Sequence, residues 1–227
     1  MGWQSLEDNK SQKVNTTIVT VCWFLHAIRL GDWDLSTIED CFQGQNEKIV
    51  CAPPYISASP EKIIVHPTYN LESVTADDIA LIRLNLTIDF AKARGYIMPI
   101  CLPSFGIQVE LLKRDRDPIV IGWGETEKAK PSPILLKADV PFAERKECVR
   151  RFYSNFGEEQ LCIGGGKSDS CLGDSGGPLM LPGPKGPPYL QIGIVSFGQN
   201  CAAPGIPAVY TSLQHYKTWI AKQMEPW

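Results

Sequence analysis

The sequence predicts an all-β fold of the two-barrel kind that ends in a helix, and three observations lead there. The chain has 227 residues, a length that one two-barrel unit fills. From Ala27 onward, short apolar runs alternate with Gly, Pro and Asp, as expected for short strands joined by tight turns. Only two stretches carry helical signals.

Taken in order, residues 27–31 read as the end of a strand, followed by the polar run Asp32-Trp33-Asp34-Leu35-Ser36-Thr37. Residues 61–66 form a second apolar strand that closes at Pro67, which has no N–H for a ladder. Residues 78–84 and 118–124 are further strands, the first mostly apolar. Residues 143–152 are a polar helix with a thin apolar face. Residues 212–224 are a helix with Ser212 as N-cap and Leu213, Tyr216, Ile220 and Met224 on one face. The Pro/Gly cluster at 182–188 reads as a surface loop between two strands, not a linker. Charge interrupts the apolar pattern at 113–118. That places the boundary between a first barrel, 27–115, and a second barrel with its helix, 116–227. There is no internal repeat and no low-complexity tract.

Composition narrows the function classes. A hydrophobic content of 44% and a charged content of 21% are ordinary for a globular chain. The net charge of −3 supplies no basic patch, which argues against nucleic acid as a partner. Eight cysteines, not spaced as zinc ligands, point to an oxidising, secreted setting. Residues 1–17 lack the basic-then-apolar order of a signal peptide. The apolar run 18–28 is too short to span a bilayer; it reads as a displaced signal core, a buried strand or sequence outside the fold, with the last two favoured.

The stretch Ser168-Asp169-Ser170-Cys171-Leu172-Gly173-Asp174-Ser175-Gly176-Gly177-Pro178-Leu179 carries the chemistry. It sets a serine among three glycines, beside a carboxylate, just ahead of an apolar strand. Glycine adopts backbone angles closed to other residues and admits close approach to the main chain. A serine on such a turn exposes its hydroxyl while neighbouring N–H groups converge, the arrangement that holds an oxyanion. A Gly-rich surface turn is the ordinary reading of a short Gly/Ser cluster. The hexapeptide Gly-Asp-Ser-Gly-Gly-Pro, with Cys171 three residues ahead of Asp174, is too specific for that.

On these residues the chain resembles the chymotrypsin/trypsin-like serine endopeptidases. The resemblance extends through Asp77-Asp78-Ile79-Ala80-Leu81, Pro99–Pro103, Gly122-Trp123-Gly124, Val195–Gly198 and Pro207–Tyr210. Arg29-Leu30-Gly31-Asp32-Trp33-Asp34, with Asp40-Cys41 and Cys51–Pro54, makes it most similar to the protease module of arthropod clip-domain proteases, which act in haemolymph cascades. The resemblance implies two antiparallel six-stranded barrels with a C-terminal helix, the first incomplete at its N-terminus. It implies Ser175 as nucleophile, Asp78 as the acid that orients a histidine, and the N–H groups of Gly173 and Ser175 as oxyanion hole. Asp174 would pair with a new N-terminal ammonium after activation cleavage. Asp169 would sit at the base of a pocket for Arg or Lys, with Gly198 and Ala208 as walls. Ser196, Phe197 and Gly198 would offer backbone to an extended substrate. The family pattern has glycine where Ala208 stands, so the pocket is expected to be narrower. The implied disulfides are Cys41–Cys51, Cys148–Cys162 and Cys171–Cys201, leaving Cys22 and Cys101.

The chain departs from the family at the base. It has three histidines, and none has the Ala-Ala-His-Cys context. His66 falls at a strand end where the family often has a surface histidine, and His215 falls in the last helix. His26 abuts the first strand with no cysteine after it, which leaves it a weak candidate. An Ile-Val-Gly-Gly activation sequence is also absent. Residues 1–26 are therefore expected to lie outside the fold.

Two readings follow. One is a trypsin-like endopeptidase acting on protein substrates, or held by protease inhibitors, among other cascade proteases. The other is a non-catalytic protease homologue that serves as cofactor or binding partner. No cofactor is expected. Glu39, Asp40 and Glu47 are of a type that coordinates calcium, but a solvated acidic loop is the commoner outcome. Asn15-Thr16-Thr17 and Asn85-Leu86-Thr87 match the N-glycosylation pattern, which matters only in a secreted chain.

Overall fold

The computed structural model describes residues 25–44, 47–70, 76–103, 116–126, 128–152, 156–183, 186–199 and 201–224. The lead segment up to residue 24, including Cys22, and residues 113–115 of the expected boundary at 113–118 lie outside them.

The first half is made of three antiparallel pairs. Strand β1 (Ile28–Leu30) pairs with β4 (Ile56–Ala58), β2 (Cys41–Gln43) with β3 (Ile49–Cys51), and β5 (Pro60–Val65) with β6 (Ala80–Leu84). Period-two alternation decides which side chains go inward. In β1, Ile28 and Leu30 are buried, while Arg29 faces out over the Tyr55 ring at 4.6 Å. Ile28 and Leu30 share a core with Ala93 and Ile97, and Ile56, Ile82 and Leu84 pack against it. Strand β6 starts two residues later than expected. Asp77 adopts a left-handed φ of 55° and Ile79 donates its N–H back to the Asp77 carbonyl at 2.8 Å. Asp78 thus stands on a turn ahead of the ladder.

The second half is one sheet of six strands in the order β8-β7-β10-β11-β12-β9. These are β7 (Ile119–Gly122), β8 (Leu136–Asp139), β9 (Gln160–Gly164), β10 (Pro178–Gly183), β11 (Gly186–Phe197) and β12 (Pro207–Ser212). An antiparallel bridge between Phe142, just past β8, and Ile163 in β9 joins the two edges of the sheet. Val120, Val140, Ile163, Leu179, Ile192 and Tyr210 fill the interior. The expected surface loop at 182–188 is largely strand. Gly183 pairs with Gly186, and Pro187 and Pro188 belong to β11; residues 184–185 lie outside the described set.

Helix α1 (Arg145–Phe152) begins two residues later than expected, and its buried residue is Cys148, tied to Cys162. Helix α2 (Leu213–Gln223) departs from the expectation at both ends. Ser212 makes no side-chain cap, because it still belongs to buried strand β12 and gives its N–H to the Glu159 carbonyl. Met224 is 63% exposed, off the packed face. Leu213, Tyr216 and Ile220 pack with Ile79 of the first half, and Leu81 and Ile194 lie against them, so α2 bridges the halves. Among the described residues no helix is long and apolar enough to cross a membrane.

Candidate active site

Ser175 lies exposed in the loop between β9 and β10. Two tight turns shape that loop: Asp174 N–H donates to the Cys171 carbonyl, and Gly177 N–H to the Asp174 carbonyl. Gly173 (φ 93°) and Gly176 (φ 80°) take backbone angles that a side chain would oppose. At Gly173 a Cβ would also stand 3.1 Å from the Cα of Gly124. Among the described residues, the N–H groups of Gly173 and Ser175 donate to no carbonyl or carboxylate. The Cys171–Cys201 disulfide ties the loop to the connection between β11 and β12.

Asp174 is turned inward. One carboxylate oxygen accepts the N–H of Gly124 and the other that of Cys171, each at 2.8 Å. A Cβ at Gly122 or Gly124 would overlap this carboxylate, which is the physical need behind the Gly122-Trp123-Gly124 spacing. A small cleft lined by Gly122, Trp123, Gly173, Asp174 and Ser175 opens beside it.

Strand β11 connects this loop to the first half. Gly176 donates to the Val195 carbonyl and Val195 donates to the Gly177 carbonyl, both at 2.9 Å. The next residue, Ser196, donates its hydroxyl to the Asp78 carboxylate at 2.6 Å. The Asp78 carbonyl in turn accepts the Thr211 hydroxyl from β12 at 2.7 Å. Burial raises the Asp78 carboxyl above its ordinary range, and the Ser196 hydrogen bond partly offsets that. Tyr69 is raised as well, first by burial and then by the Asp78 charge.

The third acid, Asp169, accepts the N–H of Ser170 at 2.8 Å and that of Ala202 at 3.2 Å. Beneath it Tyr210 donates to the Ser170 hydroxyl at 2.8 Å. Gly164 leaves space beside the carboxylate, where a Cβ would lie 3.2 Å from it. Burial raises Asp169, the two N–H groups lower it, and the nearby Asp174 charge raises it again. Gly198 and Ala208 stand face to face: a Cβ on Gly198 would come within 2.9 Å of the Ala208 methyl.

Of the histidines, His66 is placed differently from the sequence reading. His66 is not a surface residue, with a side chain 14% exposed. Its ring packs on Tyr216 and Trp219 at 5.2 and 4.9 Å, and its Nδ1 lies 3.0 Å from the Thr68 hydroxyl and 3.7 Å from Asp77. His215 stacks edge-on against Tyr216 at 4.8 Å. Both act electrostatically on Asp77. His26 is exposed just ahead of β1.

The three expected disulfides, Cys41–Cys51, Cys148–Cys162 and Cys171–Cys201, are formed, and Cys101 is exposed with no disulfide partner among the described residues. In the acidic loop, Asp40 accepts the N–H groups of Trp33 and Asp34 and the Thr37 hydroxyl. Its carboxylate organises the loop internally. Glu39 lies near Cys41 and Cys51, whose sulfurs are bonded to each other. Sequence reading missed Thr211, Tyr69, Thr68 and Tyr216. Thr211 and Tyr216 meet Asp78 and Asp77 across 133 and 139 residues, and Thr68 and Tyr69 reach the same acids from the loop after β5.

The trypsin family model matches residues 52–220 of this chain. Serine protease grass of Drosophila melanogaster is 40% identical over 206 residues, 88% of this chain and 53% of that protein. Spaetzle-processing enzyme, also of Drosophila melanogaster, is 39% identical, covering 89% of this chain and 52% of that protein. CLIP domain-containing serine protease B4 of Anopheles gambiae is 42% identical, covering 87% and 54%. The crystal structure of the Drosophila Grass clip serine protease of the Toll pathway superposes with a TM-score of 0.75 at 38% identity. That match covers 88% of this chain and 57% of that one. The expected chymotrypsin-type fold is therefore present. The chain spans about half the length of the curated relatives it matches.

Proposed function

The chain belongs to the trypsin family, and from that premise we propose that it is a serine endopeptidase chain of an extracellular immune or developmental cascade, cutting proteins after Arg or Lys. The observation that carries this reading is the continuity of the site. The Ser175 loop is hydrogen-bonded to Val195, and the adjoining Ser196 holds Asp78. Ser175 would attack the scissile carbonyl, and the N–H groups of Gly173 and Ser175 would bind the oxyanion. Asp78 would orient a base and stabilise its charged form.

In the pocket, Asp169 would meet the charged end of the substrate side chain. Such a cation would reverse the effect of burial and favour the ionised carboxylate. Gly198 and Ala208 would form the walls, and the Ser196–Gly198 segment would take up substrate backbone. Asp174, turned toward Gly124 and Cys171, would receive an ammonium made by activation cleavage, which would fix the oxyanion loop.

A second reading, a non-catalytic homologue that binds cascade proteins, is favoured by the histidines. His66 and His215 surround Asp77, and Asp78 is held by Ser196. One experiment separates the two. The folded chain is treated with a fluorophosphonate probe and assayed on amide substrates ending in Arg, Lys, Phe or Ala. Labelling that Ser175→Ala abolishes, with turnover confined to Arg and Lys, supports the endopeptidase. A folded chain that neither labels nor turns over any substrate refutes it and leaves the binding homologue.

A further inference from the structure

We propose that Asn85 is a site of N-linked glycosylation that caps the end of β6 opposite the candidate active site. The proposal rests on the extracellular part of the functional reading above. The local sequence Asn85-Leu86-Thr87 has the acceptor pattern, with Leu rather than Pro between. The second acceptor sequence, at Asn15, lies outside the described residues.

The structure adds what the pattern alone lacks. Asn85 and Thr87 are both exposed, directly after β6. The Asn85 side-chain carbonyl accepts the Ser59 N–H at 2.9 Å, and the Asn85 N–H donates to the Ser59 carbonyl at 3.0 Å. The amide oxygen is therefore committed to the protein. Among the described residues no acceptor is engaged by the amide nitrogen, Nδ2, the atom a glycan occupies. An amide carrying a sugar on Nδ2 keeps its oxygen, so the Ser59 contact survives modification.

Position makes the site compatible with function. Six residues separate Asp78 from Asn85, and β6 occupies most of them. At about 3.4 Å per residue the attachment point is on the order of 20 Å from the acid. The attachment point thus lies at the end of β6 farther from Asp78. A glycan there covers the end of a two-stranded ladder, where open backbone invites association with other chains.

The reaction is a group transfer from a dolichol-diphosphate-linked oligosaccharide. Nδ2 bonds to C1 of the proximal N-acetylglucosamine, the bond from C1 to the diphosphate oxygen breaks, dolichyl diphosphate leaves, and Nδ2 gives up one proton. The enzyme that performs it is a lumenal oligosaccharyltransferase.

The test translates the full chain, behind a cleavable signal sequence, into microsomes, and isolates protease-protected protein. We expect a discrete mobility shift that peptide:N-glycosidase F reverses. Peptide mapping should then find position 85 converted to aspartate. Asn85→Gln and Thr87→Ala should each remove that shift; Thr87→Ala also keeps the Ser59 contact, so a loss there reads the acceptor pattern and not misfolding. A lumenal chain with position 85 unmodified, or a shift removed in full by Asn15→Gln, overturns the proposal. Modification at Asn85 in microsomes, combined with a native chain that never leaves its cells, would sustain the site and refute the extracellular reading.

Discussion

Asp77 and Asp78 are neighbours whose carboxyls are driven in opposite directions. Asp77 accepts hydroxyl hydrogen bonds from Tyr216 at 2.6 Å and Thr68 at 2.7 Å, with His66 and His215 nearby. Burial works to raise it, but the two hydrogen bonds and the histidine charges win, and it lies below its ordinary value. Asp78 is raised by burial, with Ser196 as its compensating donor. The left-handed turn at Asp77 produces the division, because it sends consecutive side chains to different partners.

The signs of the two pH dependences follow. A lowered folded-state value means that Asp77 stabilises the fold above the unfolded aspartate range, and that this is lost as pH falls through the folded value. Asp77→Asn should therefore cost about 1–3 kcal/mol at neutral pH, the usual cost of losing hydrogen bonds to a charged group, and nothing near the bottom of the acid range. A raised value means the opposite for Asp78. Its contribution is present at low pH and lost as pH rises from the unfolded to the folded value. Asp78→Asn, whose amide oxygen still accepts from Ser196, should raise Tm at pH 7 and leave it unchanged in acid. Thermal unfolding of both variants from acid to neutral pH measures this. Equal pH profiles for the two would refute the division.

Gly124→Ala tests the cradle around Asp174. The new methyl would fall 2.5 Å from the carboxylate that Gly124 now binds through its N–H. Overpacking of this kind costs about 1–3 kcal/mol. Asp174 must also move, and it shares its turns with Ser175. The expected result is a Tm lowered by several degrees together with weaker fluorophosphonate labelling of Ser175. A variant with a lowered Tm and unchanged labelling would uncouple Asp174 from the serine loop.

What was legible in the sequence was what lies close together along it. Asp169, Asp174 and Ser175 fall within one short loop of glycines and a proline, and the turns that place them are local. The disulfides Cys41–Cys51 and Cys148–Cys162 likewise close short intervals, of 10 and 14 residues. The Ser196–Asp78 contact spans 118 residues and the Tyr216–Asp77 contact 139. No periodicity reports such pairs. His66 was misjudged for the same reason: a residue at a strand end beside a proline reads as exposed until α2 is known to cover it. Ser212 was misread as a cap because a serine before an amphipathic run has the right chemistry. Here the preceding strand runs straight into the helix and keeps that serine buried in the sheet.

Removing Cys171–Cys201 should separate stability from shape. The bond closes a 30-residue interval that contains Ser175. Chain-entropy arguments give about 3–4 kcal/mol for a loop of that length, with the mechanism dependent on the model. The double variant Cys171→Ala/Cys201→Ala should unfold at correspondingly lower denaturant. Because Asp174 also accepts the Cys171 N–H, the Ser175 loop should loosen before the sheet does. Hydrogen exchange would show this as faster exchange at 171–177 than in β11. Uniform acceleration across both would refute a local role for the bond.

The pocket can be tested by binding alone, independent of any catalytic base. An arylamidinium cation, such as benzamidine, carries the planar donor fork that a carboxylate at Asp169 would receive. Asp169→Ser should weaken its binding about ten- to a hundredfold, the equivalent of one charge-assisted contact. Ala208→Gly removes the methyl that faces Gly198. If that methyl narrows the pocket, the variant should bind the cation several-fold more tightly while Asp169→Ser stays weak in either background. Calorimetric titration of the parent and the three variants distinguishes the cases. Unchanged affinity on Ala208→Gly would place the methyl outside the path of the ligand. Unchanged affinity on Asp169→Ser would remove the basis for a preference for Arg or Lys, since among the described residues Asp169 is the one the site offers such a cation at its base.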